Sequence, residues 1–148
     1  MSMFKVFDIS GSAVSAQSQR LNVVASNLAN VDTVAGPDGS AYKARQVVFQ
    51  TVMMAASGNI SADASGDPVT ASAGVRVSTV TEDDTPGRKV HDPSHPSADA
   101  DGNVTYSNVN AVEEMVNMIS SSRSYQNNIE VMNTAKSLLL KTLQMGQG

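Results

Sequence analysis

The sequence contains no cysteine and no tryptophan, and only 4% of its 148 residues are aromatic. Without cysteine the chain cannot form disulfides, thiolate zinc sites or a cysteine nucleophile. Aromatic side chains bury the most area per residue, so their scarcity leaves few large groups to line a deep ligand pocket. The length suits one ordinary domain with a modest core.

Positive charge is neither abundant nor concentrated in this chain. Ten basic and fourteen acidic residues give a net charge of −4, and Arg88-Lys89 is the only adjacent basic pair. Phosphate binding needs concentrated positive charge, so we predict no nucleic-acid partner. The longest apolar run, 52–56, is far too short to span a bilayer, and the first apolar run breaks at Asp8. We therefore expect neither membrane insertion nor a cleaved signal peptide.

Both ends of the chain show a helical pattern. Residues 3–32 contain no proline and a single glycine, and residues 111–145 contain neither. In each segment apolar residues recur in alternating steps of four and three, the spacing that keeps one seam against a partner helix. In each stripe seven of the nine positions are apolar, and the stripes are Met3, Phe7, Ser10, Val14, Gln17, Leu21, Val24, Leu28 and Val31, and Met115, Met118, Ser122, Tyr125, Ile129, Met132, Lys136, Leu139 and Leu143.

The segment between the helices reads as a small β-rich insert. Gly36 to Gly39 form a turn signal, residues 42–54 and 74–81 favour strands, and the prolines within 90–109 favour extended chain. Residues 57–73 are mostly small and polar, which is typical of a mobile loop.

These patterns together predict an α+β fold with three parts. Neither terminal helix can bury its stripe alone, and the simplest solution is an antiparallel, coiled-coil-like pair. We expect an N-terminal helix of an assembly core at 1–32, the β-rich insert at 33–110 and the C-terminal helix of the core at 111–148.

The two histidines of the chain, His91 and His95, lie in one stretch with the acidic residues Asp92, Asp99 and Asp101. Imidazole and carboxylate groups could form a metal site. Alternatively, they cap turns in a proline-braced loop, which we favour. No catalytic residue, cofactor-binding residue or metal ligand is predicted, and we expect a protein that is not an enzyme.

Asparagines are concentrated in both predicted helices, although asparagine is a poor helix former. They either help to end the helix or fix the register between neighbouring helices, and the sequence leaves both explanations open. The predicted assembly interface comprises Leu21, Val24, Asn27, Leu28, Asn30, Met115, Met118, Tyr125, Asn127, Ile129, Met132 and Leu139.

Several motifs resemble those of bacterial flagellar rod and hook proteins. Residues 17–21 and 25–33, followed by Tyr42-Lys43, are similar to the amino-terminal signature of that family. Residues 110–116 and 123–127 resemble its carboxy-terminal helix. The segment before the second helix resembles the proximal-rod branch of the family at Thr85-Pro86, residues 92–96, Ala98-Asp99, Asp101-Gly102 and residues 106–109. Two positions depart from the pattern of that branch: Ser107 stands where proline is usual, and His91 where tyrosine is common.

The resemblance implies a structural subunit of the flagellar basal-body rod, which carries torque across the periplasm and is needed for motility. It further implies export by the flagellar type III apparatus, without a cleaved signal peptide. The implied partners are copies of the chain, other rod proteins, basal-body ring or rod-junction proteins, and the export apparatus in transit. Two alternatives stay open: a metal-dependent enzyme using His91 and His95, and a helical export chaperone that stays in the cytoplasm.

Overall fold

The chain is long and helical at both ends and carries two small antiparallel sheets between its helices. A computed structural model describes residues 3–36, 38–54 and 72–146. The predicted α+β order is confirmed, whereas coiled-coil-like packing stays a prediction. Residues 57–71 of the predicted loop lie outside the described residues, and 72–73 belong to a strand. The elements are α1 (Met3–Ala29), β1 (Arg45–Met54), β2 (Ser72–Glu82), β3 (Lys89–His91), β4 (Asn103–Thr105) and α2 (Ala111–Gly146).

Polar side chains define the inner ends of both helices. At the end of α1, the Asn30 amide donates to the carbonyl of Ser26 at 2.8 Å and takes up a backbone acceptor that the helix no longer satisfies. Asn110 caps α2, because its Oδ1 accepts the N–H of Val112 at 3.1 Å. Helix α1 therefore ends three residues before the predicted boundary at residue 32, and α2 begins where predicted.

The larger sheet packs on the side of α1. Strands β1 and β2 pair antiparallel from Arg45↔Glu82 to Met54↔Ser72, with an irregularity in register after Val48. The N–H of Val75 donates to Ser12 Oγ at 3.1 Å and ties β2 to α1. Among the described elements, α1 contacts α2 and both strands, while α2 contacts α1 alone.

The smaller sheet closes the connection between the two helices. Strands β3 and β4 pair antiparallel with Val90 opposite Val104, and Val104 is only 1% exposed. An isolated bridge between Val34 and Tyr106 joins the chain after α1 to the chain before α2. The segments that leave α1 and enter α2 are therefore held side by side.

The apolar core consists of small side chains. Within the described ranges, no buried apolar residue is larger than valine. Little apolar area is removed from water by such residues, so the hydrophobic contribution to folding is modest. The buried apolar residues are Ala16, Val24, Ala44, Val104 and Ala135.

The contact line of α2 differs from the predicted stripe by one residue. The buried positions are Glu114, Ser121 and Ala135. The prediction placed Met115, Ser122 and Lys136 there, and Met115 is 56% exposed. Small side chains such as Ser121 and Ala135 let two helices approach closely, so larger residues are displaced to the flanks of the contact. The predicted spacing is present, but the phase was wrong at these positions.

Candidate assembly interface

Asn27 joins the end of α1 to the start of β1. Its side chain is fully buried. The amide Nδ2 donates to the carbonyl of Arg45 at 2.8 Å, and Oδ1 accepts the N–H of the same residue at 3.0 Å. Oδ1 also accepts the Tyr42 hydroxyl at 3.0 Å. The amide thus pairs with the backbone of Arg45 as a neighbouring strand would, and it fixes the sheet relative to α1.

Asn108 provides a second amide contact from the other side of the same strand end. Its Oδ1 accepts the N–H of Ala44 at 2.6 Å. Its Nδ2 donates to the carbonyls of Asp83 and Thr85 at 2.9 and 3.0 Å. Residues 44 and 45 are therefore held by one amide from α1 and one from the chain entering α2. The predicted interface included Asn27 but missed Asn108.

The chain before α2 is fastened to the chain after α1 by Ser107, which is 3% exposed. Its N–H donates to the carbonyl of Thr33 at 3.1 Å, and its hydroxyl donates to the carbonyl of Val31 at 2.7 Å. Proline, which the family pattern usually has here, could make neither bond. The serine therefore adds two hydrogen bonds to the region that Asn27, Ser107 and Asn108 hold together between the two helices, which we call the joint.

Gly87 lies where two backbone segments meet. A Cβ at this position would collide with the backbone carbonyl oxygen of Tyr106. The Arg88 guanidinium lies 5.2 Å from the centre of the Tyr106 ring, and the N–H of Tyr106 donates to the carbonyl of Arg88 at 2.8 Å. Close approach of the two backbones thus requires glycine at position 87.

An exposed ion pair accompanies the joint. Lys43 and Asp84 form a salt bridge whose side chains are 48% and 86% exposed. The hydrogen bond to Asp84 and the negative charge of Asp84 raise the pKa of Lys43. The hydrogen bond from Lys43 and the positive charge of Lys43 lower the pKa of Asp84. Solvent screens such a pair, so it adds little to the stability of the joint.

Glu114 is the one buried carboxylate of α2 in the described chain, and it is only 8% exposed. Its Oε2 has no hydrogen-bond partner among the described residues. Burial raises the pKa of the Glu114 carboxyl, an effect that the Asn27 side chain and the Arg20 charge oppose. Nearby, Arg20 Nη2 donates to Asn117 Oδ1 at 3.1 Å and links the two helices.

Four of the five histidine and aspartate residues of the predicted polar loop bond within the loop or to the strand beside it. Asp92 and Asp99 accept backbone N–H groups at 2.8 to 3.1 Å. His95 Nδ1 accepts a backbone N–H at 3.1 Å, and His91 Nδ1 lies 3.3 Å from Asn103 Oδ1. In the part of the chain that the structure describes, no group of three such side chains is placed to hold a metal ion. The geometry matches the turn-capping interpretation.

The predicted interface residues fall into three classes of burial, and their role in assembly stays a prediction. Val24 and Asn27 are buried, and Met115 and Asn127 are exposed. The other predicted residues are partly exposed, which leaves them able to contact a further subunit. They are Leu21, Leu28, Asn30, Met118, Tyr125, Ile129, Met132 and Leu139.

Helix α2 exposes many large apolar residues besides Met115, and all of them except Leu143 were missing from the predicted stripe. Helix α2 has 36 residues and α1 has 27, and residues 141–146 are all exposed. Over the described residues, neither helix is both long and apolar enough to cross a membrane. A second set of apolar positions on α2, outside the predicted stripe, could have indicated this exposed surface from the sequence. The exposed residues are Val112, Val116, Ile119, Val131, Leu138, Leu140, Leu143 and Met145.

Comparison with known proteins gives matches at both ends and over the full length. Residues 7–37 match the family described as flagella basal body rod protein, and residues 100–145 match the family described as flagellar basal body rod FlgEFG protein C-terminal. These two ranges contain Asn27 and Asn108.

Three full-length relatives share the description flagellar basal-body rod protein FlgC. The relative from Yersinia enterocolitica and the relative from Salmonella typhimurium are each 53% identical over 147 residues. The relative from Bacillus subtilis is 38% identical over 151 residues. Each match covers 99% of this chain and 100% of the relative.

Proposed function

This chain belongs to the flagellar basal-body rod protein FlgC family, and on that premise we propose that it is a structural subunit of the proximal rod. Family membership places it in the flagellar basal body as a rod component. In our proposal its terminal helices assemble with copies of itself and with other rod proteins. The resulting axle transmits torque across the periplasm, and motility depends on it.

The exposed apolar surface of α2 is the observation that carries this proposal. Val112, Val116 and Ile119 are 71%, 61% and 56% exposed, and Met145 at the other end is 75% exposed. Large exposed apolar side chains grouped within two helical turns, as Val112, Val116 and Ile119 are, are typical of a contact with another protein. A rod in which helices pack against neighbouring helices would cover them.

The two asparagines support a further part of the proposal, the transmission of torque. Asn27 and Asn108 hold the chain at the start of β1 through seven hydrogen bonds to Tyr42, Ala44, Arg45, Asp83 and Thr85. Directional bonds specify one geometry, whereas small apolar contacts permit sliding. We propose that this joint sets a fixed angle between the helices and the outward-facing insert.

The small core supports the proposed route of export. Among the described residues the buried apolar side chains are alanine and valine, so apolar burial there contributes little to the free energy of unfolding. Such a chain unfolds at little cost and could pass through the narrow flagellar type III channel. We propose that its terminal helices become fully ordered when they meet their neighbours, including ring or rod-junction proteins at the ends of the proximal rod.

The proposal is tested by placing a charge in each helix. Leu28→Asp in α1 and Met132→Asp in α2 should each abolish motility and remove the chain from purified basal bodies, because a carboxylate is costly to bury. Asn22→Asp and Asn133→Asp are matched controls at exposed positions of the same helices, and they should retain motility.

Export must be measured in the same strains, since a charge could also block secretion. We expect all four variants to be exported, and we expect only Leu28→Asp and Met132→Asp to fail to assemble. Working rods built from Leu28→Asp or Met132→Asp would contradict the proposal. Recovery of the wild-type chain in the cytoplasm alone, and never in basal bodies, would favour the chaperone alternative.

A further inference from the structure

The hairpin of β1 and β2 has two outer edges, and α1 occupies only part of each. At the start of β1, the N–H and the carbonyl of Arg45 both bond to the Asn27 amide, on the side away from β2. Farther along the hairpin, the N–H of Val75 bonds to Ser12 Oγ, on the side away from β1. Ser12 and Asn27 lie roughly 22 Å apart along α1 at 1.5 Å per residue. Helix α1 therefore crosses the hairpin obliquely and covers neither edge in full.

The edge of β1 beyond Arg45 carries a regular row of outward-pointing backbone groups. In an antiparallel pair, every second residue directs its N–H and carbonyl away from the partner strand. Arg45 is such a residue, so Val47 and Phe49 are the next two. The register irregularity after Val48 does not interrupt this row, because the extra residue, Ser78, lies on β2. Within the described ranges, no other backbone segment bonds to Val47 or Phe49 from outside the sheet.

The base of β2 presents a second outward row, on the opposite edge of the hairpin. Val80 and Glu82 lie opposite Val47 and Arg45, so the same alternation directs their backbone groups away from β1. Donors and acceptors on opposite edges of one hairpin can pair between two copies, β1 of one with β2 of the next. Such a contact is heterologous, so it repeats around an assembly and does not close on a dimer.

The row on β1 lacks the residues that commonly protect an open edge. Residues 46–52 include no proline and no charged residue, and valine, threonine and phenylalanine predominate among them. On β2, the charge of Glu82 is already paired with Arg45 of the same hairpin. A cleft of about 350 Å³ lies beside Val47 and Phe49 and separates them from the start of α2. An incoming strand would thus enter a space that the described helices leave open.

We propose that β1 of one chain pairs antiparallel with the base of β2 of a second copy. In this pairing the backbone of Val47 faces Glu82 of the second copy, and the backbone of Phe49 faces Val80. Each facing pair exchanges two bonds, so the contact makes about four hydrogen bonds. The inference rests on the proposed function, because the two copies are neighbours in the rod. It adds a strand contact to the helix contacts proposed above.

Engineered cysteines test this contact, because the chain has no cysteine of its own. One chain carries Thr81→Cys, and a second chain with a different tag carries Val48→Cys, which the proposed pairing places opposite Thr81. Both positions are exposed, and with one cysteine per chain any disulfide must join two copies. Gln46→Cys and Gln50→Cys replace Val48→Cys in turn, and they cover pairings shifted by two residues either way. Thr51→Cys is the matched control, because it is equally exposed but lies on the opposite face of β1.

We expect a disulfide between differently tagged chains in assembled basal bodies under mild oxidation. Val48→Cys should give the highest yield with Thr81→Cys, at least tenfold above the yield with Thr51→Cys. Side chains directly opposite each other on adjacent strands come within disulfide distance, whereas those on opposite faces do not.

A proline at Val47 tests the hydrogen bonds themselves. The N–H of Val47 points away from β2, so the hairpin loses no bond of its own, and an edge strand tolerates proline at such a position. In the chain that carries Val48→Cys, adding Val47→Pro should lower the disulfide yield about tenfold. Val47→Ala removes a similar part of the side chain but keeps the N–H, and it should leave the yield nearly unchanged.

Three results would overturn the inference. The first is a yield at Gln46, Val48 and Gln50 that never exceeds the yield at Thr51. The second is an equal effect of Val47→Pro and Val47→Ala. The third is capture of a different rod protein, and of no second copy, by a photo-reactive residue at Val48. In each case the wild-type chain would still be present in basal bodies, so the proposed function would stand. Absence of the wild-type chain from basal bodies would instead contradict the proposed function itself.

Discussion

Replacing Asn27 by alanine should detach the start of β1 from α1. The change removes a donor to the Arg45 carbonyl and an acceptor for the Arg45 N–H and the Tyr42 hydroxyl. Tyr42 lies 3.2 Å from Ser26 Oγ and can keep that partner. The Arg45 backbone loses the two bonds that Asn27 provides, and alanine offers no replacement.

The expected loss follows from those two groups. Each net hydrogen bond contributes about 0.5–1.5 kcal/mol, and a buried group left without a partner costs about 1–3 kcal/mol. Alanine is the better helix former, and it returns up to about 0.7 kcal/mol. We therefore expect the local opening free energy at the start of β1 to fall by about 2–3 kcal/mol.

Amide hydrogen exchange measured by NMR reports this change at a single residue. A fall of about 2–3 kcal/mol corresponds to roughly 30- to 150-fold faster exchange of the Arg45 N–H when exchange follows the opening equilibrium. Asn22→Ala is the matched control, because Asn22 lies on the same helix and is exposed. Equal exchange at Arg45 in the two variants would refute the role assigned to Asn27.

Two further predictions concern stability. Gly87→Ala should destabilise the chain by several kcal/mol in urea unfolding followed by circular dichroism, because the added Cβ would meet the Tyr106 carbonyl. The control Gly11→Ala, in open space on α1, should stabilise the chain by about 0.5–1 kcal/mol. Equal effects of the two substitutions would contradict the close contact at Gly87. Because burial raises the folded-state pKa of Glu114 above its ordinary value of 4.5, the folded chain holds this proton more tightly than the unfolded chain. The stability advantage of Glu114→Gln over wild type should therefore be small below pH 4.5 and should grow as the pH rises through the folded-state pKa; an advantage that is independent of pH would be inconsistent with burial of the charge.

The helices were predictable because their signals are local. Long segments without proline, with apolar residues at a period of 3.5, specify helices wherever they occur, and Asn110 marks the start of α2 within one turn. The phase of α2 was less predictable. The apolar Met115 outranks Glu114 in any count of hydrophobicity, yet the buried line passes through Glu114, Ser121 and Ala135. Small size favours close helix packing at Ser121 and Ala135, and it does not account for Glu114.

The joint was not predictable because its bonds connect distant parts of the sequence. Asn108 reaches Ala44 across 64 positions, and Asn27 reaches Arg45 across 18. The sequence posed a choice between helix ending and helix register for the asparagines. Asn30 does help to end α1, but Asn27 bonds to a strand, which neither explanation included.

The distribution of polar and apolar contacts explains how one small chain can be both adaptable and precise in shape. Its helices meet through alanine and serine and expose valine, leucine and methionine, so their outer surfaces can adjust to different neighbours. The joint, by contrast, consists of buried amide hydrogen bonds, and these weaken when their geometry changes. For the torque-carrying role that we propose, we expect adjustment at the helix surfaces and rigidity at the joint. A subunit with the reverse arrangement would bind its neighbours in one way only and bend at the joint, which is the opposite of what the proposed role requires.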